Sequence, residues 1–409
     1  MRRLIAFAVI VAAAAACASS QYPPGGPEDH EPPKLLSVSP ESGAVNARPP
    51  AVVFRFDEVV SERPQGATDL RGLIVISPRD GDARVDWHRS SISVRARRDW
   101  RPNTVYTITL LPGITDLRNN VRKERTTISF STGPTFPRGR IAGIIYDWAA
   151  NRGISVASIE AVRRPDSTVF VARADSSGRF ELPFLSPATY VVYGYQDVNN
   201  NHARDPREMF DSTVVTLSDT ASLRLLAFVH DSVGPGLSAI EVRDSLTVRL
   251  TFDQPVPAPI DTTVFRVLAA DSSRDRVAQI MSAMDYDRIV SDSVQRADSL
   301  RRIRDSIPLP PPRRVARDTL APPPAPTLTG PLPMTGVVLR LATPLRAGAQ
   351  YRIETTTLRN LLGKTRPISR VFTAPKPAPP PADSLRRPLP GAPRTPAAAD
   401  TARRRPPRA

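Results

Sequence analysis

The sequence predicts an all-β protein built from tandem β-sandwich modules. Short segments alternate apolar and polar residues with a period of two, as in Ser91–Arg95 and Val105–Leu110, and clusters of turn residues separate them. The same strand and turn phrases occur near both ends of the chain, which indicates a duplicated module. The chain has 409 residues, 40% of them hydrophobic, a length that favours two to four domains. Its 45 prolines favour short strands, proline-rich connections and disordered segments.

The first unit is expected over residues 35–134. Its strands are predicted at residues 52–56, 73–76, 91–95, 105–110 and 127–130. Turn residues lie between them, including Gly43, Gly81 and the pair Pro102-Asn103. Residues 18–34 are polar and rich in proline and glycine, so they are expected to form a flexible linker ahead of this unit.

A second β unit is expected over residues 138–231, and a third over residues 236–375. Strands of the second are predicted at residues 139–146, 168–172, 178–182 and 188–193. The third repeats four landmarks of the first in the same order. We match residues 53–57 with 249–253, 101–108 with 346–353, 116–119 with 357–360, and 128–130 with 370–372.

Two segments lack a strand pattern. Residues 271–335 are predicted to be a low-complexity insertion in the third unit, with a polar helix within residues 285–307 and a proline-rich stretch at 308–333. Such a long insertion is either functional or simply tolerated low complexity. Residues 376–409 carry eight basic and two acidic residues, a net charge of +6, and are expected to be a disordered basic tail.

The N-terminus has the layout of an export signal. Arg2 and Arg3 precede a 13-residue apolar stretch, too short to span a bilayer, and the stretch ends at Cys17, which is the only cysteine in the chain. Residues 1–17 resemble a bacterial lipoprotein signal, which implies lipidation of Cys17 and attachment to a membrane, the outer membrane being expected. Ala14 stands where leucine is commonest in such signals. An ordinary secretory signal cleaved near Ala16 is the alternative.

The first and third units resemble bacterial Ig-like domains of the SbsA type, which occur in surface-layer and other envelope proteins. The phrases that carry the resemblance are residues 32–33, 37–44, 56–60, 73–78, 102–106 and 130–133, preceded by Gly25-Gly26-Pro27. The third unit matches less well because its opening Ser-Pro is missing and the insertion interrupts it. The middle unit resembles transthyretin-like, carboxypeptidase-regulatory β-sandwiches through residues 175–182 and 185–190, with Ala188 in place of the usual glycine. These resemblances imply a fold and leave the function open.

Residues 197–208 have the spacing of a calcium-binding loop. Side chains that carry oxygen fall at loop positions 1, 3, 5, 9 and 12, and a backbone carbonyl is available at position 7. The candidate ligands are Asp197, Asn199, Asn201, the carbonyl of Ala203, Asp205 and Glu208. Against calcium, His202 replaces the glycine of the sharp turn, and Arg204 and Arg207 lie close by. The alternative is a polar hairpin loop in which Asn and Asp cap their own backbone.

No residue pattern for catalysis or for any other cofactor is found. One cysteine excludes a multi-cysteine zinc site and an internal disulfide framework, and the four histidines, His30, His88, His202 and His230, are scattered. The sequence has no nucleophile elbow and no zinc-protease motif. The aromatic residues at alternating strand positions are expected in the core: Phe54, Phe56, Tyr106, Phe130, Phe180, Tyr190, Tyr351 and Phe372.

The charge balance and the export signal limit the classes of partner that we expect. The net charge of +16 falls to +14 when Arg2 and Arg3 are removed with the signal, and export argues against nucleic acid as the partner. Anionic envelope polymers, lipid headgroups or other envelope proteins remain, although the arginine tail could serve only solubility. We therefore expect a non-catalytic, lipid-anchored envelope scaffold. The alternatives are a glycan-binding or assembly-accessory lipoprotein, with a tryptophan (Trp87, Trp100 or Trp148) exposed for sugar stacking, and an unrecognised hydrolase.

Overall fold

The computed structural model describes residues 29–199, 201, 203–269, 274–275, 277–304 and 327–376. The signal segment, most of the linker, residues 305–326 and the tail after Lys376 lie outside these ranges. The described chain is almost entirely β-structure, which confirms the predicted fold class. Three separate clusters of buried apolar side chains mark three β-sandwich modules.

The first module packs a four-stranded sheet on a three-stranded sheet. One sheet contains β1 (Leu35–Ser39), β2 (Val52–Phe56), β4 (Arg84–Trp87) and β5 (Ser91–Arg95) in the order β1-β2-β5-β4. The other contains β3 (Ile74–Ser77), β6 (Val105–Leu110) and β7 (Thr126–Ser131) in the order β3-β6-β7. Alternate residues such as Phe54, Ile92 and Ile108 point inward from the two sheets and are fully buried.

The middle module is a β-sandwich in which hydrogen-bonded strand pairs continue from one half to the other. Its strands are β8 (Gly139–Asp147), β9 (Arg152–Gly153), β10 (Ser158–Arg164), β11 (Val169–Arg173), β12 (Arg179–Leu185), β13 (Ala188–Tyr195), β14 (Met209–Leu217) and β15 (Thr220–Val229). They are ordered β11-β10-β13-β14-β15-β8-β12, with β9 paired to β8. Strand β15 runs parallel to β8, and all other pairs are antiparallel.

The third module repeats the strand order of the first. One sheet contains β16 (Leu237–Asp244), β17 (Thr247–Val256), β20 (Val277–Ser282) and β21 (Met334–Leu341) in the order β16-β17-β21-β20. The other contains β18 (Arg266–Ala269), β19 (Arg274–Asp275), β22 (Gln350–Thr355) and β23 (Ile368–Thr373) in the order β19-β18-β22-β23. Among the described strands, β19 is the addition to the pattern of the first module.

Matching side chains confirm most of the predicted duplication. The hydroxyl oxygens of Tyr106 and Tyr351 each accept a hydrogen bond from a backbone N–H five residues upstream, at 2.8 Å in both modules. Each tyrosine also stacks on the phenylalanine of the last strand, with ring centroids 5.7 Å apart in the first module and 5.8 Å in the third. All eight aromatic side chains predicted for the core are buried.

One predicted match is out of register by three residues. The letters Leu-Arg-Asn align residues 116–119 with 357–360, but in the structure Asp116 corresponds to Asn360. The side-chain oxygen of each accepts hydrogen bonds from the N–H groups two and four residues further on, at distances of 2.7–3.0 Å. The equivalent positions in the two modules are therefore those whose side chains form this turn, even where the repeated residue types suggest another alignment.

The insertion is shorter than the predicted span of 271–335. Val277–Ser282 is a strand that pairs with β21, and Val277 is buried in the core. The prediction that these residues form no strand was therefore wrong. The polar Gln279 interrupts this six-residue segment, so the strand pattern in the sequence is weak. The partner strand also lies more than fifty residues away. In the first module the equivalent strands β4 and β5 are joined by only His88, Arg89 and Ser90.

The predicted polar helix is confirmed as α1 (Ala283–Arg304). Ser282 caps its first turn, since its hydroxyl oxygen accepts a hydrogen bond from the N–H of Asp285 at 3.0 Å. An ion pair of 2.7 Å between Arg249 and Asp287 fixes the start of the helix to β17. Among the described residues, no helix has the length and apolar composition needed to cross a bilayer.

Candidate functional site

The predicted calcium loop connects β13 to β14 in the middle module, and the structure describes it except for Asn200 and His202. The side chain of Asp197 is fully buried and lies 3.4 Å from the guanidinium of Arg173. Glu208 is also buried, and its two carboxylate oxygens accept hydrogen bonds from the N–H groups of Val198 and Asp205. The first and last candidate ligands therefore anchor the two ends of the loop.

The other candidate ligands bond within the loop. The side-chain oxygens of Asp197 and Asn199 both accept from the N–H of Asn201, and the oxygen of Asn201 accepts from the N–H of Ala203. The carboxylate of Asp205 accepts from the side-chain amides of Asn199 and Asn201 at 2.7 and 3.1 Å. The loop has the self-capped geometry expected of a polar hairpin loop, and it gathers oxygen-bearing side chains into one turn of chain.

A second group of acidic side chains lies at the start of the first module. The carboxylates of Asp29, Glu58 and Asp116 each offer an oxygen within 4.8 Å of the others. Among the described residues, this is the cluster of three acidic side chains close enough to share a metal ion. Burial raises the pKa of Glu58, and the negative charges of Asp116 and Asp29 raise it further. This group could not be predicted from the sequence, because its members are 29 and 58 residues apart.

The duplication provides a neutral counterpart of the same corner. In the third module Gln254 and Asn360 occupy the positions of Glu58 and Asp116, and their side chains hydrogen-bond directly at 3.1 Å. The amide of Asn360 also donates to the carbonyls of Asp231 and Val233, which fixes the entering chain. The first module therefore has two carboxylates of like charge at the positions where the third module has two hydrogen-bonded amides.

We expect Glu58→Gln to stabilise the first module at neutral pH. Because the pKa of Glu58 is raised on folding, ionisation of this carboxyl lowers the free energy of unfolding; the penalty is complete above the folded pKa and absent below the unfolded pKa near 4.5. The melting temperature of the variant should exceed that of the native chain by about 1–4 °C at pH 7. The difference should vanish below about pH 4.

The third module supplies the reverse control. Gln254→Glu places a carboxylate in the neutral corner, and it should lower the melting temperature at pH 7. A Glu58→Gln chain that melts below the native one at pH 7 would contradict the repulsion described for this corner.

The first and middle modules are joined edge to edge. Arg79, just after β3, donates its backbone N–H to the carbonyl of Val169 on β11 at 2.8 Å, and Val171 donates to the hydroxyl of Ser77 at 3.0 Å. On the other side of this contact, the guanidinium of Arg125 donates to the carbonyls of Arg173 and Ala174, both at 3.0 Å. Four hydrogen bonds, two of them between strand edges, thus fix one module against the other.

A cleft of about 370 Å³ lies at this junction. In it the carboxylate of Glu160 forms an ion pair with Arg79 at 2.8 Å and accepts a hydrogen bond from the hydroxyl of Tyr195 at 2.8 Å. Burial, followed by the charge of Glu160, raises the pKa of Tyr195 to about 12. Asn201 of the polar loop also lines the cleft. These residues could not be predicted as a site, because the two modules that contribute them are separate in the sequence.

An aromatic row crosses the corner of the middle module where β14 pairs with β15. The ring of His230 stacks on Phe210 at 3.8 Å and on Phe228 at 4.2 Å, and Trp148 meets Phe228 edge-on at 5.8 Å. Arg204 of the polar loop lies over Phe210, 4.9 Å from its centroid. Burial lowers the pKa of His230, which favours the neutral form of the imidazole.

The other two tryptophans of the chain serve the first module. The indole N–H of Trp87 donates to the carbonyl of Val60 at 2.8 Å, and that of Trp100 donates to the carbonyl of Pro49 at 2.7 Å. Trp100 also packs edge-on against Tyr106 and Phe130 in the core. All three candidates for sugar stacking are partly buried, and Trp148 is the one in the middle module.

Comparison with known proteins identifies part of the chain. Residues 29–132, the first module, match the family model of a bacterial Ig-like domain. No curated protein sequence matches the chain.

Solved structures show weak likeness. An L,D-transpeptidase from Mycobacterium smegmatis is 15% identical, with 48% of this chain and 77% of that chain covered and a TM-score of 0.19. BcpA, the major pilin subunit of Bacillus cereus, is 9% identical, with 46% and 67% covered and a TM-score of 0.18. Domains 1–6 of the surface layer protein SbsC are 11% identical, with 84% of this chain but only 40% of that chain covered and a TM-score of 0.18. Similarities of this size do not indicate a shared function.

Proposed function

We propose that the chain is a non-catalytic, lipid-anchored protein of the bacterial cell envelope whose β-sandwich modules act as a scaffold. The observation that carries the proposal is the match of the first module to a bacterial Ig-like domain. The hydrogen bonds that fix the first module against the middle one support a scaffold role, because a spacer must hold its modules in a constant orientation. The cleft residues Arg79, Glu160 and Tyr195 bind one another, an arrangement that favours a structural role over catalysis.

The anchor in this proposal is a lipid on Cys17, which becomes the N-terminal residue when residues 1–16 are removed. A single acyl chain gives only marginal membrane binding, so stable attachment needs more than one chain or an added basic segment. The tail after Pro375, with its net charge of +6, is proposed to supply that second contact through anionic lipid headgroups or anionic envelope polymers.

The anchor is tested by Cys17→Ala in a bacterial host, with an alkyne-tagged fatty acid to report lipidation. We expect the native chain to carry the tag and to sediment with the outer membrane on a density gradient after a high-salt wash. The variant should lack the tag and leave the membrane fraction, because salt removes the electrostatic contact that remains.

A chain truncated after Lys376 is the control for the tail, and it should keep the tag. If the native chain is untagged and the variant stays in the salt-washed membrane, lipid anchoring is wrong.

We further propose that the loop at residues 197–208 binds calcium. Calcium prefers six to eight oxygen ligands, and side chains that carry oxygen occur here at the required spacing within one short segment. The binding would replace the hydrogen bonds that the amides of Asn199 and Asn201 make to Asp205. Its role would be to stiffen the connection between β13 and β14 beside the cleft between the first and middle modules.

Calcium should raise the melting temperature of residues 18–409 relative to the same protein in chelator. Ion binding to the folded state alone stabilises by about 2.7 kcal/mol when the free ion is 100 times its dissociation constant. Asp205→Asn is the variant of choice, because Asp205 is partly exposed and its replacement keeps the shape of the side chain.

The shift should be lost in that variant and kept in Asp219→Asn, an exposed acidic position outside the loop. Equal melting of the native protein in calcium and in chelator would reduce the segment to a self-capped hairpin loop.

A further inference from the structure

The first and third modules differ in how the outer edge of their last strand is covered. In the first module, residues 42–47 of the connection between β1 and β2 lie along β7, and we call them the covering segment. The carbonyl of Ser129 on β7 accepts a hydrogen bond from the N–H of Gly43 at 2.7 Å. The carbonyl of Ser131 accepts from the N–H of Ala47 at 2.9 Å, and the N–H groups of both serines donate back to the covering segment. The backbone groups on the outer side of β7 are therefore satisfied within the module.

The third module lacks such a segment. Its strands β16 and β17 are joined by only Ser245 and Leu246, a connection too short to lie along β23. Strand β23 is an outermost strand of one sheet, and β16 is an outermost strand of the other. Among the described residues, no chain covers the side of the sandwich between these two edges.

The outward backbone groups of β23 follow from its pairing with β22. The N–H of Ala374 donates to the carbonyl of Ala349 at 3.0 Å, and its carbonyl accepts from Gly348 at 2.9 Å. Because the bonding direction alternates along an antiparallel strand, Val371 and Thr373 direct their N–H and C=O groups away from β22. They are the counterparts of the two covered serines of the first module. Both are exposed, and within the described part of the chain neither has a hydrogen-bond partner on its outer side.

An opening of about 410 Å³ lies beside this edge, between β23 and β16. Ile240 and Val242 of β16 line it together with Phe372 of β23, and the two β16 side chains are only partly buried. In the first module, Ala44 and Ala47 of the covering segment pack against the core. The duplicated module thus shows that a strand with small apolar side chains fits beside this kind of edge.

Among the described residues that line the opening, Arg370 is the charged one. It occupies the position of Ile128 in the first module, which is only 5% exposed. Arg370 is exposed, and it forms no ion pair with any described residue. An occupant with an acidic side chain would supply a counter-charge. A second copy that added its own β23 would instead bring a second arginine to the same edge, and like charges disfavour that arrangement.

We propose that the outer edge of β23 binds an extended, acidic segment of another polypeptide, which has small apolar side chains and joins the sheet as a further strand. The outward N–H and C=O groups of Val371 and Thr373 would provide the affinity, and Arg370 and the opening would provide the specificity. An exposed strand edge is a template for such pairing. The proposal does not depend on the lipid anchor or on calcium, because it uses only the third module and its counterpart in the first.

A fluorescent peptide with the sequence of residues 39–47 and blocked ends is the probe. It contains the covering segment and, at Glu41, a single acidic residue. We expect its fluorescence anisotropy to rise when it is titrated with residues 18–409. The affinity should fall as the salt concentration increases, because the pair with Arg370 is screened.

Val371→Pro is the variant of choice, because it removes an outward N–H and keeps the hydrogen bonds of β23 to β22. The affinity of the peptide should fall by about tenfold. Val371→Thr is the matched control, since it keeps the N–H and a β-branched side chain, and it should bind the peptide as the native chain does. Arg370→Glu should also weaken binding, and a peptide with Glu41→Lys should recover it. Equal melting temperatures of the variants show that the module remains folded.

Amide hydrogen exchange tests directly whether the edge is open. In residues 18–409 alone, the amides of Val371 and Thr373 should exchange about a hundredfold faster than those of Ser129 and Ser131. Saturation with the peptide should slow exchange at Val371 and Thr373 and leave the two serines unchanged.

Four results would overturn the proposal. Equal affinity of the peptide for the native and Val371→Pro chains would place its binding elsewhere, including the edge of β7. Absence of binding to an edge that exchanges freely would show that β23 does not accept a strand of this kind. Slow exchange at Val371 that ends on truncation after Lys376 would assign the cover to the tail of the same chain. Slow exchange that fades on dilution would assign it to a second copy.

Discussion

Replacing Phe130 by alanine should unfold the first module at denaturant concentrations that leave the rest of the chain intact. Phe130 is fully buried between the two sheets, where its ring lies 5.1 Å from Trp100 and 5.7 Å from Tyr106. Truncation of a buried phenylalanine costs about 3–5 kcal/mol, since the apolar transfer free energy is lost and a cavity remains. The total stability of a domain is about 5–15 kcal/mol, so the effect is a large fraction of it.

The measurement is urea unfolding followed by tryptophan fluorescence. Trp87 and Trp100 lie in the first module, Trp148 lies in the middle one, and the chain has no other tryptophan. The early part of the fluorescence transition should move to lower urea concentration in the variant, without a change at the middle module's transition.

Phe372→Ala is the matched control in the third module. Phe372 stacks on Tyr351 as Phe130 does on Tyr106, but it is 8% exposed and no tryptophan packs on it. Its loss should be smaller and should be detected by circular dichroism, with the fluorescence transition unchanged. If Phe130→Ala leaves the first transition in place, Phe130 does not contribute to the core as described.

Glu160→Ala should loosen the first module from the middle one. Glu160 has a side chain only 15% exposed, and its carboxylate is shared by Arg79 from the first module and Tyr195 from the middle module. Its removal leaves the partly buried guanidinium of Arg79 without this counter-charge and removes an acceptor from the buried hydroxyl of Tyr195. The expected cost to the coupled stability of the two modules is about 1–3 kcal/mol.

The readout combines urea unfolding with small-angle X-ray scattering of residues 18–409. The radius of gyration should rise in Glu160→Ala as the two modules sample more orientations. Glu160→Gln keeps an acceptor for Tyr195 and loses only the charge, so its effect should be smaller. Identical scattering and unfolding of native and Glu160→Ala chains would show that the hydrogen bonds of the Ser77 hydroxyl and of the Arg79 backbone suffice to hold the junction.

The duplication could be predicted from the sequence because it is written in local patterns. Strands such as Val52–Phe56 and Val105–Leu110 alternate with a period of two, and the buried aromatic residues Tyr106 and Tyr351 follow turns of similar composition. The register of the Asx turn could not be predicted in the same way. Repeated letters placed Asn119 opposite Asn360, whereas hydrogen bonding places Asp116 there.

The acidic corner and the cleft could not be predicted because they depend on distant contacts. Glu58 meets Asp116 only when the module closes, and Arg79 meets Glu160 only when two modules dock. The polar loop could be predicted from the sequence only in part. Its spacing was visible in the sequence, while the burial of Asp197 and Glu208 and the bonding of Asp205 to two amides needed the fold.

By itself, the sequence determined the all-β class, the core aromatic residues and the polar helix, because each depends on periodicity or burial within a few residues of chain. Tertiary structure decided that Val277–Ser282 is a strand, that Trp87 and Trp100 support the first module, and which charges face one another across the junction. These features depend on partners tens of residues away. A local pattern indicates which face of a strand is buried, but it does not specify what will cover that face.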